Sequence, residues 1–151
     1  MKNVVAFTID NQNYALPCEY IVKIVNTVAI TPLRHAPDSV LGMINVHGRI
    51  VVVVDIRKIL ELPDKKMSLY DKMIIVKTDK RTVTFIADKV LGLLNIKEKN
   101  IVDMNKVISD PGIYEGTIKQ TDELILIYNT DKFLSLEEEE KLETAMSGEK
   151  I

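Results

Sequence analysis

The segment 42–62 constrains the fold more than any other part of the chain, because it encodes a strand, a two-residue turn, a second strand and a helix start without interruption. Val46 and Arg49 flank the His47-Gly48 pair, the loop length that favours a primed hairpin turn, and Gly48 supplies the positive φ such a turn requires. Asp55 ends the valine run, where its short carboxylate can accept from the free N–H groups of a helix beginning at Ile56. Successive residues of a strand point to opposite faces, yet Val51, Val52, Val53 and Val54 are all apolar. Both faces of this strand are therefore shielded from water, one filling a small barrel and the other meeting a second lobe or a partner.

The same arrangement returns in 116–136, which aligns on 42–62 without gaps, 74 residues further on. Gly42 falls on Gly116, Ile44 on Ile118, the valine run on 124–128, Asp55 on Asn129, Lys58 on Lys132, Ile59 on Phe133, and Leu60 and Leu62 on Leu134 and Leu136. Aspartate and asparagine both make good N-caps, so the repeat preserves physical roles as well as letters. Upstream, the apolar 74–76, the turn-rich 78–81 and the apolar 83–86 restate an opening hairpin built from 4–9, 10–13 and 14–16. The segment 87–94 restates 19–25, a crowded apolar stretch that a short strand or one to two helical turns fits equally. Pro32 bars 29–33 from the middle of a sheet but allows an edge strand, and 34–38 reads as loop. The pattern breaks at 62–66, the expected connection between halves.

Each half holds roughly five short strands in about 70 residues, the size of a small antiparallel barrel. The expected fold class is mainly β: two small five-stranded barrel lobes sharing a core, with short helices and a C-terminal helix. Lobe one is expected to take 13–66, lobe two 1–12 with 67–134, and the helix 135–147, where Ser135 and Glu138 stand at capping-box spacing. Glu137, Glu138, Glu139 and Glu140 then complement the helix macrodipole.

A chain of 151 residues suits one compact unit, and its net charge of −2, with both signs interleaved, speaks against nucleic acid or an anionic membrane surface as the main partner. No signal-peptide pattern opens the chain and no apolar run reaches bilayer-spanning length, so a cytoplasmic protein is expected. Cys18 is the single cysteine, expected as a buried inert thiol. His35 and His47 lie in a loop and a turn with no third histidine to join them, so no metal site is expected. Dinucleotide, phosphate-loop, nucleophile-elbow and zinc-protease motifs are absent, and neither catalysis nor a cofactor has support. What remains is surface: a turn carrying His47, and the strand edges of two similar lobes, which suit a molecule that bridges others.

The run Gly42-x-Ile44-Asn45-Val46-His47-Gly48-Arg49, continuing through the valines to Asp55-Ile56-Arg57, resembles the Gly-Val-Ile-Asn-Leu-Arg-Gly and Val-Asp-Leu-Arg signature of CheW-like chemotaxis coupling proteins. The resemblance covers nearly the whole chain. It includes the opening Phe7-Thr8-Ile9, the segment 87–92, which is similar to the family's Val-Asp-x-Val-x-x-Val, and the glutamate-rich terminal helix. It implies two SH3-like β-barrels over a shared hydrophobic core. It also implies a non-catalytic adaptor, monomeric alone and part of a receptor array, that joins the regulatory domain of the CheA histidine kinase to the cytoplasmic tips of methyl-accepting chemoreceptors.

Carried over position by position, the implied receptor contacts are Ile21, Lys23, Gly42, Asn45, His47, Met73 and Val90, lining a groove between the lobes. Kinase contacts are implied on the barrel edges, without individual residues. The family usually has arginine at the place of His47, often an acid at Lys23 and a proline at Val52, so the charge at the groove is altered here. Those departures motivate an alternative, a CheW-like module of another two-component signalling array. A small-barrel ligand-binding protein or enzyme, the remaining alternative, would show a deep polar pocket near His35 or His47.

Overall fold

Strands form where apolar alternation meets turn chemistry, in a computed structural model that describes residues 1–106 and 112–149. The opening hairpin is β1 (Lys2–Ile9) and β2 (Gln12–Pro17), turning at Asp10 and Asn11, both with positive φ. One 3-10 turn, Cys18–Tyr20, leads into β3 (Ile21–Asn26), so the crowded apolar stretch resolves as a turn followed by a strand. β4 (Val40–Val46) and β5 (Arg49–Val54) are joined by His47 at φ 50° and Gly48 at φ 86°, the left-handed pair of a primed turn. The Asp55 carboxylate accepts from the Lys58 amide at 3.1 Å and starts α1 (Ile56–Ile59). There follow β6 (Lys72–Lys77), β7 (Thr82–Ala87), β8 (Lys89–Ile96), β9 (Ile101–Asp103), β10 (Tyr114–Lys119) and β11 (Leu124–Tyr128). Asn129 caps a 3-10 turn, Thr130–Lys132, and the chain closes with α2 (Leu136–Glu149). The capping box is formed: the Ser135 amide donates to Glu138 at 2.9 Å, and the Glu138 amide to the Ser135 hydroxyl at 3.1 Å.

The strands divide into a five-stranded sheet, β3-β6-β7-β5-β4, and a six-stranded sheet, β8-β1-β2-β11-β10-β9. The sequence repeat is physical: Gly42 faces Val53 and Gly116 faces Ile127, each beside a break in register, at positions 74 apart. The two halves nevertheless do not build one barrel each. β5 pairs in parallel with β7 of the second half, Val52 opposite Val83, and β11 pairs in parallel with β2 of the first half, Leu126 opposite Tyr14. Each half therefore lends its leading hairpin to the barrel of the other.

This corrects the expected lobe boundaries. β6 and β7 join β3, β4 and β5, whereas β2 stays with β1 in the other sheet. The segment 62–66 connects two parts of the same lobe, and the chain crosses between lobes at Cys18–Tyr20 and at Asp88. The physical reason is that a parallel pair needs a long crossover, so its partner is chosen by packing far along the chain, which local patterning does not register. The sixth strand is β9, whose counterpart around Thr31 is reduced to a single bridge. There Thr31 and Met43 exchange two backbone hydrogen bonds of 2.8 Å, and Pro32 lets the ladder go no further.

Alternation along the central strands generates three cores. Val51 and Val53 join Ile44, Met73 and Ile75 inside the five-stranded barrel, while Val4, Ala15, Ile118, Ile125 and Ile127 fill the six-stranded one. Val52 and Val54 turn the other way, into a core between the lobes with Phe7, Leu16, Ile74, Phe85 and Tyr128. Rings carry that seam: Phe7 to Phe85 at 5.3 Å between centroids, Phe85 to Phe133 at 5.5 Å and Tyr128 to Phe133 at 4.7 Å. Each such side chain contributes about 1.5–3 kcal/mol on burial, so the seam is a principal source of stability. Leu142 and Ala145 add the inner face of α2 to it. Cys18, expected to be buried, is only half-buried.

Candidate partner-binding site

β3 and β8 are edge strands of different sheets and counterparts in the repeat. β3 breaks register against β6 between Ile21 and Lys23, and β8 breaks register against β1 between Val90 and Gly92, 69 residues later. Ile21 thus corresponds to Val90, Val22 to Leu91 and Ile24 to Leu93. Ile21 and Val90 pack against the core between the lobes. Their neighbours do not: Val22 and Ile24 are 50% and 36% exposed, and Leu91 and Leu93 are 50% and 68% exposed. Ile24 lies opposite Ile74, a member of the shared core, so the apolar face of the seam runs out into water along an unpaired strand edge. An edge offers free backbone donors and acceptors, and two apolar side chains on each edge make these margins the places where burial against a partner gains most.

The structure brings Ile21, Lys23 and Val90 to these edges. Lys23 is exposed and its repeat counterpart is Gly92, so the cation sits on the β3 edge alone. Gly42, Asn45 and His47 are instead on the β4–β5 hairpin, at the opposite edge of the five-stranded sheet. Gly42 is buried at φ 150°, and a Cβ there would lie 2.2 Å from the Thr31 carbonyl oxygen. The Asn45 side-chain oxygen accepts from the Gly48 amide at 2.8 Å, which orders the turn that presents the exposed His47. Met73 is fully buried against Val25 and the rest of the barrel interior, so it offers no atom to a partner. Residue reasoning missed Val22, Ile24, Leu91 and Leu93. Their signal was the apolar repeat itself, obscured because 19–25 fitted helix and strand equally.

Charge secures the margins. The Arg57 guanidinium donates to Asp88 at 2.7 Å and to Asp10 at 3.3 Å, tying α1 to the β1–β2 turn of the other lobe, and it also donates to the Pro63 carbonyl at 3.0 Å. Lys65 bonds the buried Asp71 at 2.9 Å. Burial opposes the charged form of Asp88, but the Asp10 amide and Arg57 outweigh it and hold the carboxyl below its usual range. Burial pushes the Tyr128 hydroxyl far above the ordinary tyrosine range, so it is no acid–base group at neutral pH. The trough beside His35, about 820 Å³, is lined by Arg34, Glu137, Glu140, Lys141 and other surface residues of α2 and is open to water. Among the described residues no three His, Cys, Asp or Glu side chains converge on a metal position, and no helix is long and apolar enough to cross a membrane.

Comparison with known proteins agrees with this architecture. Residues 3–138 match the CheW-like domain. The chain is 34% identical over 134 residues to the chemotaxis protein CheW of Thermotoga maritima, covering 87% of this chain and 86% of that one. It is 25% identical over 131 residues to the chemotaxis protein CheW of Helicobacter pylori, covering 86% and 79%. The crystal structure of the scaffolding protein TtCheW from Thermoanaerobacter tengcongensis superposes with a TM-score of 0.81 at 26% identity, covering 91% of this chain and 94% of that one. A duplicated two-barrel chain with this signature, matched over almost its whole length, belongs to the CheW-like family.

Proposed function

We propose that this chain is a non-catalytic adaptor of chemotaxis signal transduction that couples the cytoplasmic tips of methyl-accepting chemoreceptors to the regulatory domain of the CheA histidine kinase. It acts in the cytoplasm, within receptor arrays, and is a monomer on its own. The observation that carries the receptor half of this reading is the pair of repeat-related apolar edges, Val22 with Ile24 and Leu91 with Leu93, at the margins of the shared core. Such margins suit the apolar face of an amphipathic helix. Ile21, Val90 and Lys23 complete the surface, the exposed His47 offers a separate contact from the β4–β5 hairpin, and Gly42, Asn45 and Met73 act through the shape of the first barrel. The kinase contacts are expected on the barrel edges, against a similar domain, with no individual residues assigned.

Reconstitution tests both halves. Leu93→Asp and Val22→Asp should each reduce co-sedimentation with a receptor-tip fragment by roughly tenfold or more, the effect of losing a central apolar anchor. His47→Glu should weaken it less and leave the thermal midpoint unchanged, because the residue stands on an exposed turn. Full receptor affinity in Leu93→Asp would remove the β8 edge from the site. Exposed Lys23 and His47, with charges unlike the family pattern, favour a second reading in which the module serves another two-component array. Receptor binding without any gain of kinase coupling would select it.

A further inference from the structure

The terminal helix is rooted in one lobe and fastened to the other. It follows β11 through the single 3-10 turn Thr130–Lys132, so its root belongs to the six-stranded lobe, whereas its first turns are held by Ser39 and Arg81 of the five-stranded lobe. The Arg81 side chain, 13% exposed, grips a single stripe of α2. It contacts Glu139 at 2.8 and 2.9 Å, Glu143 at 2.8 Å and the Met146 sulfur at 3.4 Å. The Ser39 hydroxyl donates to one oxygen of Glu138, whose other oxygen accepts the Ser135 amide. Among the described residues of α2 the buried apolar side chains are Leu142 and Ala145. Apolar contact between two sheets is non-directional and gives cohesion without fixing the angle between them. Arginine–carboxylate bonds are directional, and these lie at the margin of the seam, where the lever arm is longest. Arg57 makes a second charged tie between the lobes through Asp10 and Asp88.

We infer that α2 is a strap between the lobes and that Arg81 is a positioning residue: together they set the spacing of the β3 and β8 edges, and so the fit of a partner, without touching that partner. The partner-fit part rests on the proposed recognition role of those edges; the spacing part does not. The glutamate run then has a use beyond the macrodipole, since Glu138 and Glu139 are the teeth of the clasp.

Spin labels test the spacing directly. Arg49→Cys and Lys119→Cys place one exposed label on each barrel, in a Cys18→Ser background. The parent should give one narrow distance distribution. Arg81→Gln should broaden it, release α2 to fast amide exchange and reduce affinity for a receptor-tip fragment about three- to tenfold, as expected for a residue acting through a coupled element. Arg81→Lys should restore the distribution in part, and raising the salt concentration should move the parent toward Arg81→Gln. The inference is overturned if α2 stays protected in Arg81→Gln, or if α2 is released while the distance distribution stays as narrow as in the parent. A broadened distribution with unchanged affinity would uphold the strap and tell against the recognition role of the edges.

Discussion

Replacing Gly42 by alanine should destabilise the protein by about 3–5 kcal/mol, while the same change at its repeat counterpart Gly116 should cost no more than about 1 kcal/mol. At Gly42 φ is +150°, and the added Cβ would stand 2.2 Å from the Thr31 oxygen and 2.9 Å from its carbonyl carbon. Unstrained contact begins near 3.5 Å, so the Thr31 peptide must retreat by about 1 Å. That movement breaks both 2.8 Å hydrogen bonds between Thr31 and Met43, which close the first barrel. Two backbone bonds at about 1 kcal/mol each, with about 1–2 kcal/mol for holding an L-residue at positive φ, reach the lower figure before any loss of packing. At Gly116 the nearest atom is the Val102 oxygen at 3.2 Å, a shortfall of a few tenths of an ångström that the short edge strand can absorb. Urea titration with an unchanged slope measures the difference, and calorimetry should show a midpoint lower by about 10 °C for Gly42→Ala alone. Equal losses at the two sites would refute this account. So would a Gly42→Ala protein of parental stability that had lost receptor binding, because Gly42 would then serve the partner's approach and not the barrel.

Two further outcomes follow from burial and charge. Ile127→Asp puts an unpaired carboxylate inside the second barrel, where Ile127 is 1% exposed, and should abolish cooperative unfolding or lower the midpoint by well over 10 °C; a well-folded, equally stable variant would contradict the placement of β11. Asp88 has a folded pKa below its ordinary 3.8, so its contribution is fully present above that value and is lost as pH falls through the folded one. The thermal midpoint of the parent should therefore drop more steeply below about pH 4 than that of Asp88→Asn, and parallel curves would show that the Arg57 cluster adds nothing pH-dependent.

Much of the fold could be read from the chain, because its signals are local. The His47-Gly48 turn, the Asp55 cap and the Ser135–Glu138 box each depend on residues within four positions of one another, and each is present. The two-faced burial of Val51 to Val54 follows from strand geometry alone. Lobe membership was not legible, since nothing in 72–87 says that its strands will pair with β3 and β5 and leave β8 to the other sheet. The resemblance pointed to Ile21 and Val90, which do reach the margins of the shared core, but also to Met73, whose burial no family signature records. Val22, Ile24, Leu91 and Leu93 do not stand out in the sequence because an apolar residue in a strand is ordinarily core. Only the finding that β3 and β8 are edges turns the same letters into surface.

The exchange of hairpins has an evolutionary corollary. A half-length chain carrying only one copy of the repeat would lack the strands that complete its own barrel, because β5 needs β7 and β11 needs β2. Its simplest folded form would be a dimer of two identical chains, each donating its hairpin to the other across a true two-fold axis. Fusing two such genes through a connection like 62–66 converts that mutual loan into an intramolecular one. The fusion also frees the two exposed edges, β3 and β8, to diverge, as lysine at 23 and glycine at 92 already have. On this view the asymmetric adaptor is a symmetric dimer whose halves became able to mutate separately.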